Sequence, residues 1–297
     1  MRTALIDLDG LVYAAACVVE TVYYELDGIR FDYKTQAKEY AEENGLDVRD
    51  IEQKVDAQPV QNALSILKDM IPANVVKSGA DRCELFLTPG KGGEDRPFRF
   101  DIYPEYKANR VGKHKPVYLK ACRAYAVKHF GAIITSHMEA DDMIAIRAAE
   151  LRAQGEDFVI ITRDKDLQQI AGDFYNHEKH TGMTVTISQA RFNLFYQVLI
   201  GDSVDNIKGC PNVGPAKARK ALKHCETEED YLGVCQWLYM QACVRLDEKA
   251  SQEEAKDLGL DTPVPTNYAE VQAIADRELR LNFRLVRMIT NRQDAKR

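Results

Sequence analysis

The chain has 297 residues, 45% apolar and 29% charged, which describes a soluble globular protein of one large domain and a smaller one. Forty Lys and Arg face 46 Asp and Glu, a formal charge of −6 that argues weakly against a simple nucleic-acid coat. Its seven cysteines are odd in number and carry no C-x-x-C spacing, and Asp7 and Asp9 interrupt the N-terminal apolar stretch; a disulfide scaffold and a zinc ribbon are excluded, and a cytoplasmic setting without a signal peptide is expected.

In chain order, Thr3-Ala-Leu-Ile-Asp-Leu-Asp-Gly reads as a buried strand running into a glycine turn. A charged stretch follows from Tyr33 to Met70, with helical spacing in Ala57 to Met70. Cys83 to Leu87 is a strand stopped by Pro-Gly. Lys115-Pro opens a helix toward His129, Ala132-Ile-Ile-Thr is a strand, and Met138 to Gln154 is an amphipathic helix closed by Gly155. Phe158-Val-Ile-Ile-Thr is a further strand, a helix is expected from Asp166 to Ile170, and Thr184 to Ile187 is a last strand. Such alternation predicts an α/β fold, a mostly parallel central sheet flanked by helices. Helices alone follow, so the domains are expected at 1–190 and 191–297, with a loop at Pro263 to Thr266 before a final helical pair. No run approaches the roughly 18 apolar residues of a membrane span.

Ligands of parallel α/β sheets bind at the carboxyl ends of the strands, and acids recur there. Asp7 and Asp9 follow the first strand, Glu139, Asp141 and Asp142 the Ala132 strand, and Asp164 and Asp166 the Phe158 strand; Asp202 and Asp205 lie further on. Taken singly, Asp164 and Asp202 read equally well as helix caps, and Asp141-Asp142 as first-turn acids. Together, nine anions in one cleft would repel unless cations lay between them, and oxygen donors without His or Cys suit Mg²⁺ or Mn²⁺. Without them the chain has 40 cations against 37 anions, which admits a polyanionic substrate.

Between Tyr106 and Met138 no acid occurs, while Lys107, Arg110, Lys113, Lys115, Lys120, Arg123 and Lys128 are basic; the stripe is either a nucleic-acid contact or a solvated helix face. In Tyr106-Lys-Ala-Asn-Arg, Lys107 and Arg110 offer phosphate contacts and Tyr106 a stacking face. Gly209-Cys-Pro-Asn-Val-Gly-Pro-Ala-Lys-Ala-Arg-Lys places Gly214 before a helix opened by Pro215, with Lys217, Arg219 and Lys220 beside exposed N–H groups. This is a phosphate-binding hairpin, or an ordinary helical turn.

Two resemblances arise. Asp7-Leu-Asp-Gly, Thr162 and Gly201-Asp-Ser-Val-Asp-Asn are similar to the motifs of haloacid-dehalogenase-type phosphatases, with Asp7 as nucleophile. The segment before Gly201 reads as a helix, whereas that family ends a strand there. Taken in order, Tyr106-Lys-Ala-Asn-Arg, Glu139-Ala-Asp-Asp, Asp164-Lys-Asp, Gly201-Asp-Ser-Val-Asp-Asn and the hairpin resemble the 5′-nuclease family, most closely in the look of a phage 5′-3′ exonuclease. That resemblance implies a PIN-like nuclease core, then an all-helical helix-hairpin-helix domain. It implies a first metal cluster of Asp7, Glu139, Asp141 and Asp142 and a second of Asp164, Asp166, Asp202 and Asp205, holding two Mg²⁺ or Mn²⁺. A K⁺ ion is implied at the hairpin, and the expected substrate is DNA with a free 5′ end, flap or nick, or an RNA–DNA hybrid. Asp9 receives no role. The family's acid at the end of its second strand is absent, since this chain reads Leu87-Thr-Pro-Gly; Glu94 or Asp95 folding back, a first cluster that works one ligand short, or a weakened relative that only docks on DNA junctions, are the alternatives it leaves. The stretch after Arg110 is too short for a large helical arch.

Overall fold

The structure, a computed structural model, describes residues 1–257 and 267–291. The expected loop at Pro263 to Thr266 and the chain end at Arg297 lie outside the described residues. In chain order the elements are β1 (Arg2–Asp7), α1 (Leu8–Cys17), β2 (Glu20–Leu26), β3 (Ile29–Phe31), α2 (Lys34–Asn44), β4 (Glu52–Ala57), α3 (Val60–Lys77) and β5 (Arg82–Leu87). They continue with α4 (Arg99–Ile102), α5 (Leu119–Phe130), β6 (Ile133–Ile134), α6 (Ala140–Ala153), β7 (Asp157–Ile161), β8 (Gly172–Asn176), β9 (Thr181–Val185), α7 (Ile187–Ile200), α8 (Pro215–Leu222), α9 (Glu228–Asp257) and α10 (Tyr268–Val286).

The main sheet runs β6-β5-β1-β7-β8-β9, parallel except for β9. Its central strand shows why an apolar run at the chain start becomes a strand covered on both faces. Ala4 and Ile6 pack with α1, α3 and α5, while Leu5 points the other way, toward α6. From β1 the chain builds outward to β5 and β6 on one side, then returns to place β7 and β8 on the other. The strand order therefore reverses beside β1, the position at which such sheets open a crevice at their carboxyl ends.

Four local expectations are corrected. Leu8-Asp-Gly is helix rather than turn, because Asp7 caps α1 by accepting the Asp9 N–H at 3.2 Å. A separate antiparallel sheet, β3-β2-β4, occupies the stretch before Ala57. The expected helix from Asp166 to Ile170 is a single 3₁₀ turn at Asp166–Gln169, and of the expected strand at Thr184 to Ile187 only Thr184 and Val185 are extended, as the end of the second arm of the β8–β9 hairpin, while Thr186 caps α7 and Ile187 opens it.

After β9 the structure is helical. α7, α8, α9 and α10 share an apolar cluster that includes Phe195, Leu199, Leu222, Tyr239 and Leu279, and Tyr106 inserts into it from the loop after α4. Two glycines permit the tight crossing between the end of α7 and the following loop. A side chain on Gly201 would collide with the Ile207 carbonyl, and one on Gly209 with the Gly201 nitrogen. There Asp202 and Ile207 exchange main-chain hydrogen bonds of 2.8 and 2.7 Å, and the buried Asn282 of α10 accepts the Gly209 N–H at 3.0 Å. No described helix is long and apolar enough to cross a membrane.

Candidate active site

The carboxyl ends of β5, β1 and β7 lie side by side, so Thr88, Asp7 and Thr162 to Asp164 share one edge of the sheet, with the start of α6 above them. Asp7 Oδ2 accepts the Thr162 hydroxyl at 3.1 Å, and Thr162 Oγ1 in turn accepts the Asp164 N–H at 3.0 Å. Burial and the adjacent Asp9 and Asp164 carboxylates push the Asp7 carboxyl up to about 7. Asp141 is raised well above the carboxylate range by burial and by Asp7, Asp164 and Glu139. Asp166 rises to about 7 through burial, Asp164 and Asp202. These mutual repulsions define the acidic cluster: Asp7, Asp141 and Asp164 on one side, Asp164, Asp166 and Asp202 on the other, with Asp164 between.

Asp164 and Asp202 also brace local turns, accepting the N–H of Asp166 and of Val204, each at 2.8 Å. Capping and membership of an acidic edge therefore coexist in the same residues. Among the described residues no three His, Cys, Asp or Glu side chains converge on one point as they stand. The donor set is nonetheless all carboxylate oxygen, crowded and short of countercharge, and this suits hard divalent ions rather than zinc.

Three of the expected metal ligands are paired with cations. Asp142 is fully buried and saturated: it pairs with Arg99 and accepts the N–H groups of Glu139 at 3.1 Å and Ile289 at 3.2 Å. It ties α4, α6 and the chain after α10 together, and Arg99 extends the tie to the carbonyls of Leu285 (2.7 Å) and Arg287 (2.9 Å). Burial alone would lower the Arg99 pKa, but Asp142 outweighs it and holds the guanidinium charged. Glu139 faces Lys107, and Asp205 faces Lys107 and Arg110. Burial opposes ionisation of Glu139, yet Lys107 and Arg99 bring its pKa below the usual range. In Asp205 burial prevails over Lys107 and Arg110, and the pKa rises.

Lys107 and Arg110 thus stand against the acids, joined by Lys91, whose ammonium approaches the Lys107 carbonyl at 3.4 Å. Burial and the neighbouring Arg110, Lys115 and Lys107 lower the Lys91 pKa. The main chain of Lys107 is left-handed, with φ +54°, a conformation that costs energy in a non-glycine residue and concentrates at functional sites. Its N–H donates to the Asp205 carbonyl at 2.9 Å. Tyr106 is no stacking platform: it is 2% exposed, and its hydroxyl donates to Glu139 at 2.7 Å or Asp205 at 2.9 Å.

The basic stripe divides in the same way. Arg123 pairs with Asp9, whereas Lys113, Lys115, Lys120 and Lys128 are exposed. Neither alternative acid folds back toward Thr88 by a described contact, since Asp95 accepts the Ser136 hydroxyl at 2.6 Å and Glu94 is exposed. Instead Asp9 accepts the Thr88 N–H at 2.9 Å, so a carboxylate does stand at the end of β5. Glu20 holds the short stretch after Arg110, accepting the Val117 N–H at 2.8 Å and contacting His114 Nε2 at 2.6 Å.

Gly214 caps α8 without a side chain, Pro215 takes the first helical position, and Lys217, Arg219 and Lys220 are exposed along the helix. Arg219 lies 4.9 Å above the Tyr196 ring. The acidic segment Gly201 to Asn206 follows helix α7, not a strand, so the phosphatase pattern is not reproduced. Arg99 and Thr162 are site-building residues that pattern reading passes over as such. A charged residue between the two phenylalanines of Pro97-Phe-Arg-Phe was the available signal for Arg99.

Residues 55–193 match the family model described as the 5′-3′ exonuclease, N-terminal resolvase-like domain. Curated relatives include DNA polymerase I of Rhizobium leguminosarum, 33% identical over 43% of this chain and 14% of the relative, and a 5′-3′ exonuclease of Buchnera aphidicola, 31% identical over 42% of this chain and 48% of the relative. Flap endonuclease Xni of Shewanella sediminis is 28% identical over 44% of this chain and 56% of the relative. The matched stretch thus spans about half of the latter two relatives and far less of the polymerase. Among solved structures, the 5′-exonuclease of bacteriophage T5 with bound zinc superposes with a TM-score of 0.59 at 15% identity, covering 99% of this chain and 92% of that one. A complex of the same phage's flap endonuclease with DNA and metal ions gives a TM-score of 0.58, also at 15% identity. These superpositions show a shared fold.

Proposed function

We propose that this chain, whose residues 55–193 match the model of the 5′-3′ exonuclease N-terminal domain, is a divalent-metal-dependent nuclease acting at the 5′ ends of DNA. The observation that carries the reading is the juxtaposition at one sheet edge of mutually repelling carboxylates with Lys107 and Arg110. Residues 1–190 would perform the chemistry and residues 191–297 hold the duplex.

Asp7, Asp141, Asp164, Asp166 and Asp202 would hold two Mg²⁺ or Mn²⁺ ions, with Glu139 and Asp205 joining when their cations turn to substrate. Bound there, such ions supply Lewis acidity toward water and the phosphate oxygens. The chain's own residues do the rest. Lys107 and Arg110 bind the scissile phosphate and neutralise charge that grows in the transition state. Buried Tyr106 donates to the acids beside them and keeps those side chains in place. Main-chain N–H groups at the start of α8, with Lys217, Arg219 and Lys220, grip the duplex backbone without reading bases. Carbonyls of the turn from Val213 to Ala216 would accept K⁺. The substrate is DNA with a free 5′ end, nick or flap, and RNA–DNA hybrids fit the same backbone contacts. Seven unpaired cysteines suit a reducing cytoplasm.

Lys107→Ala tests the reading. It should lower single-turnover cleavage of DNA far more than it weakens DNA binding, the mark of a contact made mainly in the transition state. The parent should leave small phosphomonoesters intact in Mg²⁺. Equal losses in rate and binding would reduce Lys107 to an electrostatic anchor, and phosphomonoester turnover without DNA cleavage would restore the phosphatase reading.

A further inference from the structure

Asp9 lies beside the acidic cluster, but both of its oxygens are engaged. Oδ2 accepts the Thr88 N–H at 2.9 Å, and Oδ1 pairs with Arg123 of α5. The same guanidinium donates to the Thr88 carbonyl, closing a ring around the main chain of one residue at the end of β5. Thr88 then reaches a fourth element: its Oγ1 accepts the Ala140 N–H at 3.1 Å.

Ala140 is the first residue of α6, between Glu139 and Asp141. A helix start leaves its first N–H groups without partners inside the helix. The Glu139 carboxylate, which stands at the capping position, is engaged with Lys107 and Tyr106. Asp142 serves the Glu139 N–H. The Ala140 N–H is therefore satisfied from outside the helix, by a hydroxyl whose own backbone is clamped by Asp9 and Arg123.

We propose, resting on the nuclease reading, that Asp9, Arg123 and Thr88 are positioning residues for the acids of α6. Asp9 and Arg123 fix the end of β5, and the Thr88 hydroxyl transmits that fix to the first turn of α6. Glu139 and Asp141 project from this turn toward the substrate cations and the acidic cluster. Arg123, placed by sequence in the basic stripe, serves here as a clamp rather than a phosphate contact.

Thr88→Val removes the hydroxyl with little change of shape, and Thr88→Ser restores it. Hydrogen exchange of a peptide spanning residues 138–144, Mn²⁺ binding by calorimetry, and single-turnover cleavage beside duplex affinity are the readouts. In Thr88→Val the 138–144 amides should exchange faster, Mn²⁺ should bind more weakly, and cleavage should fall about tenfold or more, as misplacement of reacting groups on the ångström scale does. Duplex affinity should hold, and Thr88→Ser should recover most of each loss. Asp9→Ala should act in the same way, and the double variant should be no worse than the slower single one. Parent-like exchange and cleavage in Thr88→Val, or losses that simply add, would overturn the proposal. A parent without metal-dependent cleavage, but with faster exchange in Thr88→Val, would overturn the nuclease reading and leave the positioning intact.

Discussion

Asp141 and Asp142 are adjacent at the start of α6, and the rotation of about 100° per helical residue sends them to opposite surroundings. Asp141 faces other carboxylates, whereas Asp142 is closed into the Arg99 pair. Asp141→Asn should abolish Mg²⁺-dependent cleavage, leave duplex binding largely intact, and raise the melting temperature in EDTA at neutral pH by removing a repelled charge. Asp142→Ala strands a buried guanidinium and should destabilise the fold by about 3–5 kcal/mol. Chemical denaturation and cleavage assays separate the two, and equal destabilisation by both would contradict this assignment. Asp7 and Asp166 have folded pKa values of about 7 against an ordinary 3.8, so the folded state favours their protonated forms. Their stabilising contribution is present below about pH 4 and is lost as pH rises toward 7. Mg²⁺ should therefore raise the melting temperature more at pH 7.5 than at pH 5, because protons compete for the same oxygens at the lower pH; an equal rise at both would contradict the account. Seven of the nine acids could be read from sequence because they follow strand ends, and Asp202 and Asp205 from their own short motif after a helix, but the division of the nine could not. Asp142, Glu139, Asp205 and Tyr106 took their surroundings from Arg99, Lys107 and Arg110, whose approach is set by tertiary packing.

Among elements, the parallel strands were legible where apolar runs end in acids, and α6 and α7 where helical spacing is long. The β8–β9 hairpin and the β3-β2-β4 sheet were not: the strands of the small sheet are partly exposed and interleaved with charges, and β8 and β9 are five residues each with a glycine among them, so no apolar run marks them. Helix α8 is the element on which duplex binding rests in this account. Each cation removed from a phosphate should flatten the slope of log K against log salt by about 0.9 on duplex DNA. Lys217→Ala with Lys220→Ala should weaken duplex binding and make that slope shallower, while single-strand affinity changes little, since Lys113, Lys115, Lys120 and Lys128 remain. Binding isotherms at several salt concentrations check this. A parental duplex slope in the double variant would remove α8 from the duplex interface.

At the scale of the molecule, the formal charge of −6 is unevenly distributed. Residues 20–57, which hold the small antiparallel sheet, contain eleven acids and five Lys or Arg. The remaining chain has 35 of each, so the body that carries the cleft and α8 is neutral by count, with a cluster of acids rimmed by cations. That arrangement admits a polyanion to a metal-binding edge. Whether this protein cuts DNA from 5′ ends with divalent metal is decided by the time course of cleavage of one duplex, labelled at either the 5′ or the 3′ end of the same strand, in Mg²⁺ and in EDTA. Short 5′-terminal products are expected from the first time points, with a 3′-labelled strand that shortens progressively from its far end and no products in EDTA. Degradation that starts from the 3′ end, or cleavage that survives EDTA, would contradict the proposal.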